Sequence, residues 1–308
     1  MRIEKADKMP VEGGNGRGGM RNGPDSMTAA GRWRHGTPGA GAAATVALAV
    51  LLLVNLFPLL VMLSISVKSG GSAFGSLADL VPRHLTAENY ADVMSKGPFA
   101  RYFFNSTLVV ALVVVGNIVF ASMAAYALAR TAPRPAAAML VLIIATMMIP
   151  KHIMMIPLFN LLLGMHLVDT YYALVLPFLV DAFNVFFIYQ FVRTVPREME
   201  EAAAMDGAGM FQTFRKVVFP VLKPALVVTS VNTFLINWNS FLLPFVLTNS
   251  DRVRTLPVGL AILSQGEHSV DWGLLMAGST LAAVPTVAAF AFFQRHIVKG
   301  MTEGAVRG

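Results

Sequence analysis

The chain has no cysteine in its 308 residues, which excludes disulfides, zinc-thiolate sites and cysteine nucleophiles. Charge is scarce as well. Only 13% of residues are charged, against about 25% in typical soluble domains, while 56% are hydrophobic and the mean hydropathy is +0.63. A polytopic membrane protein follows. No glycine-rich Lys-Ser/Thr phosphate loop occurs, so nucleotide is expected to bind elsewhere. No internal repeat is visible, which argues against folds built from duplicated halves. His152 and His166 have no partner at ligand spacing, so no metal is assigned. The pairs Met147-Met148 and Met154-Met155 read as adaptable packing in a moving helix rather than a soft-metal site.

What is present is a set of apolar runs. Residues Met1 to Ala42 are Gly-rich and polar and are expected to form a disordered tail. A bilayer core demands about 20 apolar residues per helix, and six segments qualify. Ala43 to Val67, Asn105 to Leu128, Ala225 to Leu247 and Leu274 to Phe293 contain no Lys, Arg, Asp or Glu. Ala136 to Pro157 holds Lys151 and His152, and its Pro150 removes a backbone hydrogen bond; Lys151 is expected to snorkel to water at the outer interface. Tyr171 to Phe191 carries one acid, Asp181. The 43–67 run is too long for a signal-peptide core and is expected to stay as an anchor. Between spans, Leu85 to Tyr90 predicts a helix start with Thr86 as its N-cap.

The net charge of +7 is informative through its distribution. With a cytoplasmic N-terminus, 17 Lys and Arg fall in inner segments and seven in outer ones, the bias the positive-inside rule demands. Both termini and the loop 195–224 are then expected in the cytoplasm, and no nucleic-acid partner is implied.

That loop, VPREMEEAAAMDGAGMFQTFRKVVFPVLKPAL, carries both signs of charge between two apolar runs. Pro196 suits a first helical turn, and Glu198, Glu200 and Glu201 place negative charge where a helix N-terminus attracts it. Ala202, Ala203 and Ala204 make a surface that another backbone can approach closely. Gly207 can take the positive φ that ends the helix. A second short helix is predicted over Phe211 to Val218, with Pro220 and Pro224 breaking it before the next span. The result is a rigid knob or, on composition alone, an amphipathic connector lying on the membrane.

The spacing separates these readings. Glu201-Ala202-Ala203 is followed after three residues by Gly207, after nine more by Val217, and then by Phe219 and Pro220. This resembles the signature loop of the permease subunits of bacterial ABC importers, with Val217 where the family commonly has Ile and Phe219 where it commonly has Leu. The resemblance runs from about Leu85 to the C-terminus. Phe104-Asn105-Ser106, Trp238-Asn239-Ser240-Phe241-Leu242-Leu243-Pro244 and the ending Val298 to Gly308 are similar to the carbohydrate-uptake permeases, the ending to the second permease of the maltose and glycerol-phosphate type.

The resemblance implies an all-α, six-span permease of the type I importer fold in a bacterial or archaeal plasma membrane. Its expected partners are a homologous second permease, two ATP-binding subunits and an extracytoplasmic solute-binding protein, in a bed of membrane lipid. It implies no enzyme activity and no cofactor in this chain, with ATP and Mg bound by the partner ATPase subunits. Glu201, Ala202, Ala203, Asp206 and Gly207 would occupy the ATPase-docking positions, and a Gly-rich cytoplasmic tail is expected over 299–308. Asn237, Trp238 and Asn239 offer amides beside an aromatic face, the chemistry a sugar ring needs, although a kink before Pro244 accounts for them equally. Asn232 reads as interhelical glue. Asp181 is a packing or gating acid, or, in a rival reading, the ion site of a gradient-driven secondary transporter. A membrane scaffold that recruits a soluble partner is the third possibility.

Overall fold

The computed structural model describes residues 38–69, 81, 84–265 and 270–305. Most of the expected N-terminal tail and the last three residues lie outside them. The chain divides into two units, Met1–Val54 and Asn55–Gly308, and the second holds the packed core. All regular elements among the described residues are helical: α1 (Pro38–Ser66), α2 (Glu88–Ser95), α3 (Phe99–Gly116), α4 (Ser122–Arg130), α5 (Pro133–Met147), α6 (Met155–Gly164), α7 (Tyr171–Val175), α8 (Ala182–Val192), α9 (Glu198–Met205), α10 (Met210–Thr213), α11 (Phe219–Val221), α12 (Lys223–Trp238), α13 (Leu242–Leu247), α14 (Leu256–Leu263) and α15 (Trp272–Ala305).

Among the described residues, four helical stretches are long and apolar enough to cross a membrane: Ala42–Ser66, Phe99–Arg130, Tyr171–Val192 and Trp272–Gln294. A fifth qualifies only when α12 is joined to Met210–Val221 across a 77° bend. Among the described residues the six expected spans are therefore not all continuous helices, and the breaks have local causes. The third candidate is two shorter helices, α5 and α6, separated by turns over Met148 to Met154. Pro150 there has no N–H to give to Thr146. The fifth ends at Trp238 instead of running to Leu247: Pro244 cannot donate to Ser240, and the Asn237 and Asn239 amides turn back onto the carbonyls of Thr233 and Leu235, both at 2.8 Å. The fourth is interrupted after a 3-10 turn at Leu176–Phe178, where Pro177 interrupts the ladder.

Three packed clusters hold these pieces together. α4 lies along α8, with Ala125, Ile188 and Val192 fully buried between them and Phe214, Val218 and Leu222 closing one end. α3, α12, α14 and α15 share Tyr102, Val110, Trp238, Leu256 and Ala277. Val113, Leu162, Leu174 and Leu247 join α3, α6, α7 and α13. Lipid offers apolar side chains no reason to cluster, so close backbone approach and buried hydrogen bonds must supply the specificity. Gly116 shows the first. A Cβ on it would come within 2.4 Å of Leu179 Cδ2 and 3.3 Å of the Leu179 carbonyl.

Asn105 and Ser106 show the second. Asn105 Nδ2 donates to the carbonyls of Arg252 (3.1 Å) and Arg254 (2.8 Å). Tyr171 donates to Asn105 Oδ1 at 2.7 Å, and Leu256 N–H donates to Ser106 Oγ at 2.8 Å. The loop between α13 and α14 is thereby pinned to α3. Asp169, at φ +62°, pins it again by accepting the N–H groups of Asn249 (2.8 Å) and Ser250 (2.9 Å). Burial pushes the Asp169 carboxyl up, but these hydrogen bonds outweigh it and hold the group below its ordinary value.

Two smaller expectations shift. α2 begins at Glu88 after an N-cap at Ala87, and Thr86 Oγ1 accepts the Glu88 N–H at 3.1 Å, one position ahead of a true N-cap. At the C-terminus the helix continues through Gly300 and Gly304 to Ala305, where a Gly-rich tail was expected.

Candidate functional site: the 195–224 loop and a polar cavity

The knob forms because its helix has a defined stop. α9 starts at Glu198, two residues after Pro196, with Glu198, Glu200 and Glu201 in its first turn. Gly207 lies at φ +81°. Its N–H donates to Ala204 O (3.0 Å) and the Ala208 N–H to Ala203 O (2.9 Å), the paired bonds of a Schellman stop. The chain then turns into α10, a π-helical turn at Phe214–Val218, and α11. This second arm is longer than the expected Phe211 to Val218. It passes Pro220 and bends at Leu222, because the wider π turn relaxes the ladder that a proline would break.

Glu201, Ala202, Asp206 and Gly207 are exposed and Ala203 is half-buried, so none of the five motif residues is enclosed within the knob. Large apolar side chains stand beside them: Met205 is 89% exposed, Met210 70% and Phe211 62%. The motif reading did not single these out, although Met and Phe flanking two glycines in a charged loop was the available signal.

Glu200 points the other way. Its carboxylate accepts from Arg130 Nε at 2.8 and 3.0 Å, from Arg130 Nη2, and from Tyr126 Oη at 3.0 Å. Both charged side chains are largely buried, at 15% and 14% exposure. The Arg130 guanidinium also sits 5.8 Å from the Tyr126 ring centroid, and Tyr126 packs on Phe214 at 5.1 Å.

The breaks after α5, before α8 and after α12 meet at a cavity of about 280 Å³. Asn237 and Asn239 line it, together with Asn232, Ser240, Phe178 and Phe241. Trp238 does not. It is 4% exposed, donates Nε1–H to Ala282 O at 3.0 Å and stacks on Phe234. Its period along α12 points it into the core, which the run of three polar-edged residues concealed. Asn117 braces one wall: Nδ2 donates to Phe178 O (2.8 Å), and Oδ1 accepts from Asp181 N–H and Asn184 Nδ2, both at 2.9 Å. Asp181 is an N-cap, its Oδ1 accepting the Phe183 N–H at 3.0 Å, and its Oδ2 pairs with Lys151 Nζ at 2.7 Å. Lys151, its side chain 60% exposed, thus also faces an acid on the cavity wall.

Residues 117–303 match the family of binding-protein-dependent transport system inner membrane components. The chain belongs to this family. It is 34% identical over 269 residues to the arabinooligosaccharides transport system permease protein AraQ of Bacillus subtilis, covering 86% of this chain and 95% of that one. To the trehalose/maltose transport system permease protein MalG of Thermococcus litoralis it is 30% identical over 264 residues, covering 84% and 94%. A bacterial ABC transporter involved in the import of the acidic polysaccharide alginate shares its fold, with a TM-score of 0.74 at 24% identity over 83% of this chain and 95% of that one. The chain is thus a permease subunit of the binding-protein-dependent type, a multi-pass component of the plasma membrane and a transport protein.

Proposed function

We propose that this permease forms half of the path of an ATP-driven importer for an uncharged sugar, working with a second permease, two ATPase subunits and an extracytoplasmic binding protein. The Schellman-stopped knob carries this reading. It offers a rigid, exposed surface of acids, small residues and Met205, Met210 and Phe211 that fits insertion into a groove of a soluble partner. Glu201, Ala202, Ala203, Asp206 and Gly207 dock that partner. ATP and Mg bind there, in the ATPase subunits, and this chain holds no cofactor of its own. Closure of the ATPases drives the knobs together and turns the solute path outward, so nucleotide and loaded binding protein bias one two-state element.

The cavity supports the solute class. Asn237 and Asn239 each spend one N–H on a carbonyl and keep an oxygen for a solute hydroxyl. Phe178 and Phe241 add apolar surface for a ring. Among the described residues Lys151 is the only Lys or Arg lining the cavity, and its pairing with Asp181 disfavours a phosphate or uronate and engages the carboxylate that an ion site would use. The named relatives include transporters of arabinooligosaccharides and of trehalose/maltose. Lys and Arg counts support cytoplasmic termini; a reporter active only in the cytoplasm, fused after Gly308, should be active, and silence there would refute the orientation. The solute is tested by uptake of arabinotriose, trehalose and glycerol 3-phosphate into proteoliposomes holding the complete complex and ATP. Uptake of a neutral probe is expected, and uptake of glycerol 3-phosphate alone would contradict the reading.

A further inference from the structure

We infer that Glu200, Arg130 and Tyr126 form a transmission latch, which makes the knob and the second span move as one body. The inference rests on the importer reading above and adds residues outside the docking surface. α9 is eight residues long, and only Glu200 and Ala203 are even partly buried. An isolated helix of that length is unstable in water, so its position must come from what holds it. Among the described residues the only ion pair to α9 is the one from Arg130, the last residue of α4.

The geometry is that of a clamp and not of a surface pair. Both carboxylate oxygens of Glu200 are occupied, one by Arg130 twice and the other by Arg130 and Tyr126. Arg130 approaches with two nitrogens, which fixes orientation as well as distance. The Tyr126 ring is held in turn by Phe214 of the second arm, and Phe214 packs edge-on to Phe219 at 5.7 Å. Start of α9, end of α4 and the π turn are therefore joined at one point.

From that point the connection to the cavity is continuous. α4 runs back through the π-helical turn at Asn117–Ala121, and Asn117 is the residue that braces Phe178, Asp181 and Asn184. A push on the knob reaches the cavity wall along α4 without passing through the bend at Leu222. Two breaks in regular geometry, a π turn at each end of this route, mark where it can flex.

The absence of cysteine from this chain supplies the reporter. Ile236→Cys lies on the cavity wall, and its maleimide labelling is followed in the complete importer in nanodiscs, without nucleotide and with MgATP and vanadate. The parent should change its labelling rate severalfold on trapping. Glu200→Ala should reduce that change at least fivefold while the ATPase subunits still co-purify and hydrolyse ATP; Tyr126→Phe should reduce it less. The exchange Arg130→Glu with Glu200→Arg should restore it, which mere loss of folding would not allow. If Glu200→Ala does not assemble, the isosteric Glu200→Gln carries the same comparison. A full nucleotide response in the Glu200 variants, or an assembled exchange variant no better than Glu200→Gln, overturns the latch. A parent that never responds to nucleotide overturns the importer reading itself.

Discussion

Replacing Gly207 isolates a backbone effect. Its φ is +81° and a Cβ built there would meet no atom within 4 Å, so a side chain costs conformational strain without a clash. An L-residue in that region costs about 1–2 kcal/mol, less for Asn and more for a β-branched residue. Since about 1.4 kcal/mol is tenfold in a population, Gly207→Ala should lower the fraction of loops with the Schellman stop by about an order of magnitude, and Gly207→Val by more. The bonds at stake are Gly207 N–H to Ala204 O and Ala208 N–H to Ala203 O. Amide exchange at Ala208 reads them directly. Protection there should fall in the order Gly, Asn, Ala, Val, and uptake by the complex should follow the same order. If Gly207→Val matches Gly207→Asn in both, the turn is not what the glycine supplies, and the rigid-knob argument fails.

Other consequences are local. Glu201→Lys, on an exposed side chain, should leave the permease folded but lower co-purification of the ATPase subunits at least tenfold; unchanged stoichiometry and uptake would remove Glu201 from the docking surface. Asn239→Ala should raise the KM for uptake severalfold with ATP hydrolysis retained, whereas kinetics unchanged across solute concentrations would take Asn239 off the path. Asp169 has a lowered pKa, so its contribution is complete above its ordinary value of 3.8 and is lost as pH falls below that through the folded value. Exchange protection of residues 249–254, corrected for intrinsic rates, should hold from pH 8 to about 4 and collapse below it. In Asp169→Asn it should be low throughout, and a flat profile in the parent down to pH 2 would contradict this.

The knob was legible because its determinants are local. An acidic first turn, an alanine run and a glycine at the stop lie within ten residues, and the fold keeps Gly207 at positive φ. The partner of Glu200 was not legible, since Arg130 is 70 positions away and nothing in either neighbourhood names the other. Hydropathy found the apolar runs but not where they break. Pro150, Pro177 and Pro244 carried that signal, each one removing a donor four residues after a carbonyl, yet Pro177 was not weighted. Asp181 looked like a lone acid in a span because sequence does not show that the helix restarts there, with the carboxylate capping it and Lys151 brought across from the neighbouring break. Trp238 was grouped with its asparagine neighbours by adjacency, while a helix turns successive residues about 100° apart, which sends the indole inward and leaves Asn237 and Asn239 at the cavity.

The central claim is that ATP hydrolysed by a partner, acting through the 195–224 loop, drives solute across this permease. Its most direct test is simultaneous measurement of ATP hydrolysis and trehalose or arabinotriose uptake in proteoliposomes of the complete complex, with proton and sodium gradients collapsed by ionophores. Uptake that requires ATP on the loop side, persists without ion gradients and is lost in Gly207→Val is the predicted result. Uptake that proceeds on an ion gradient without ATP, and is abolished by Asp181→Asn, would contradict it.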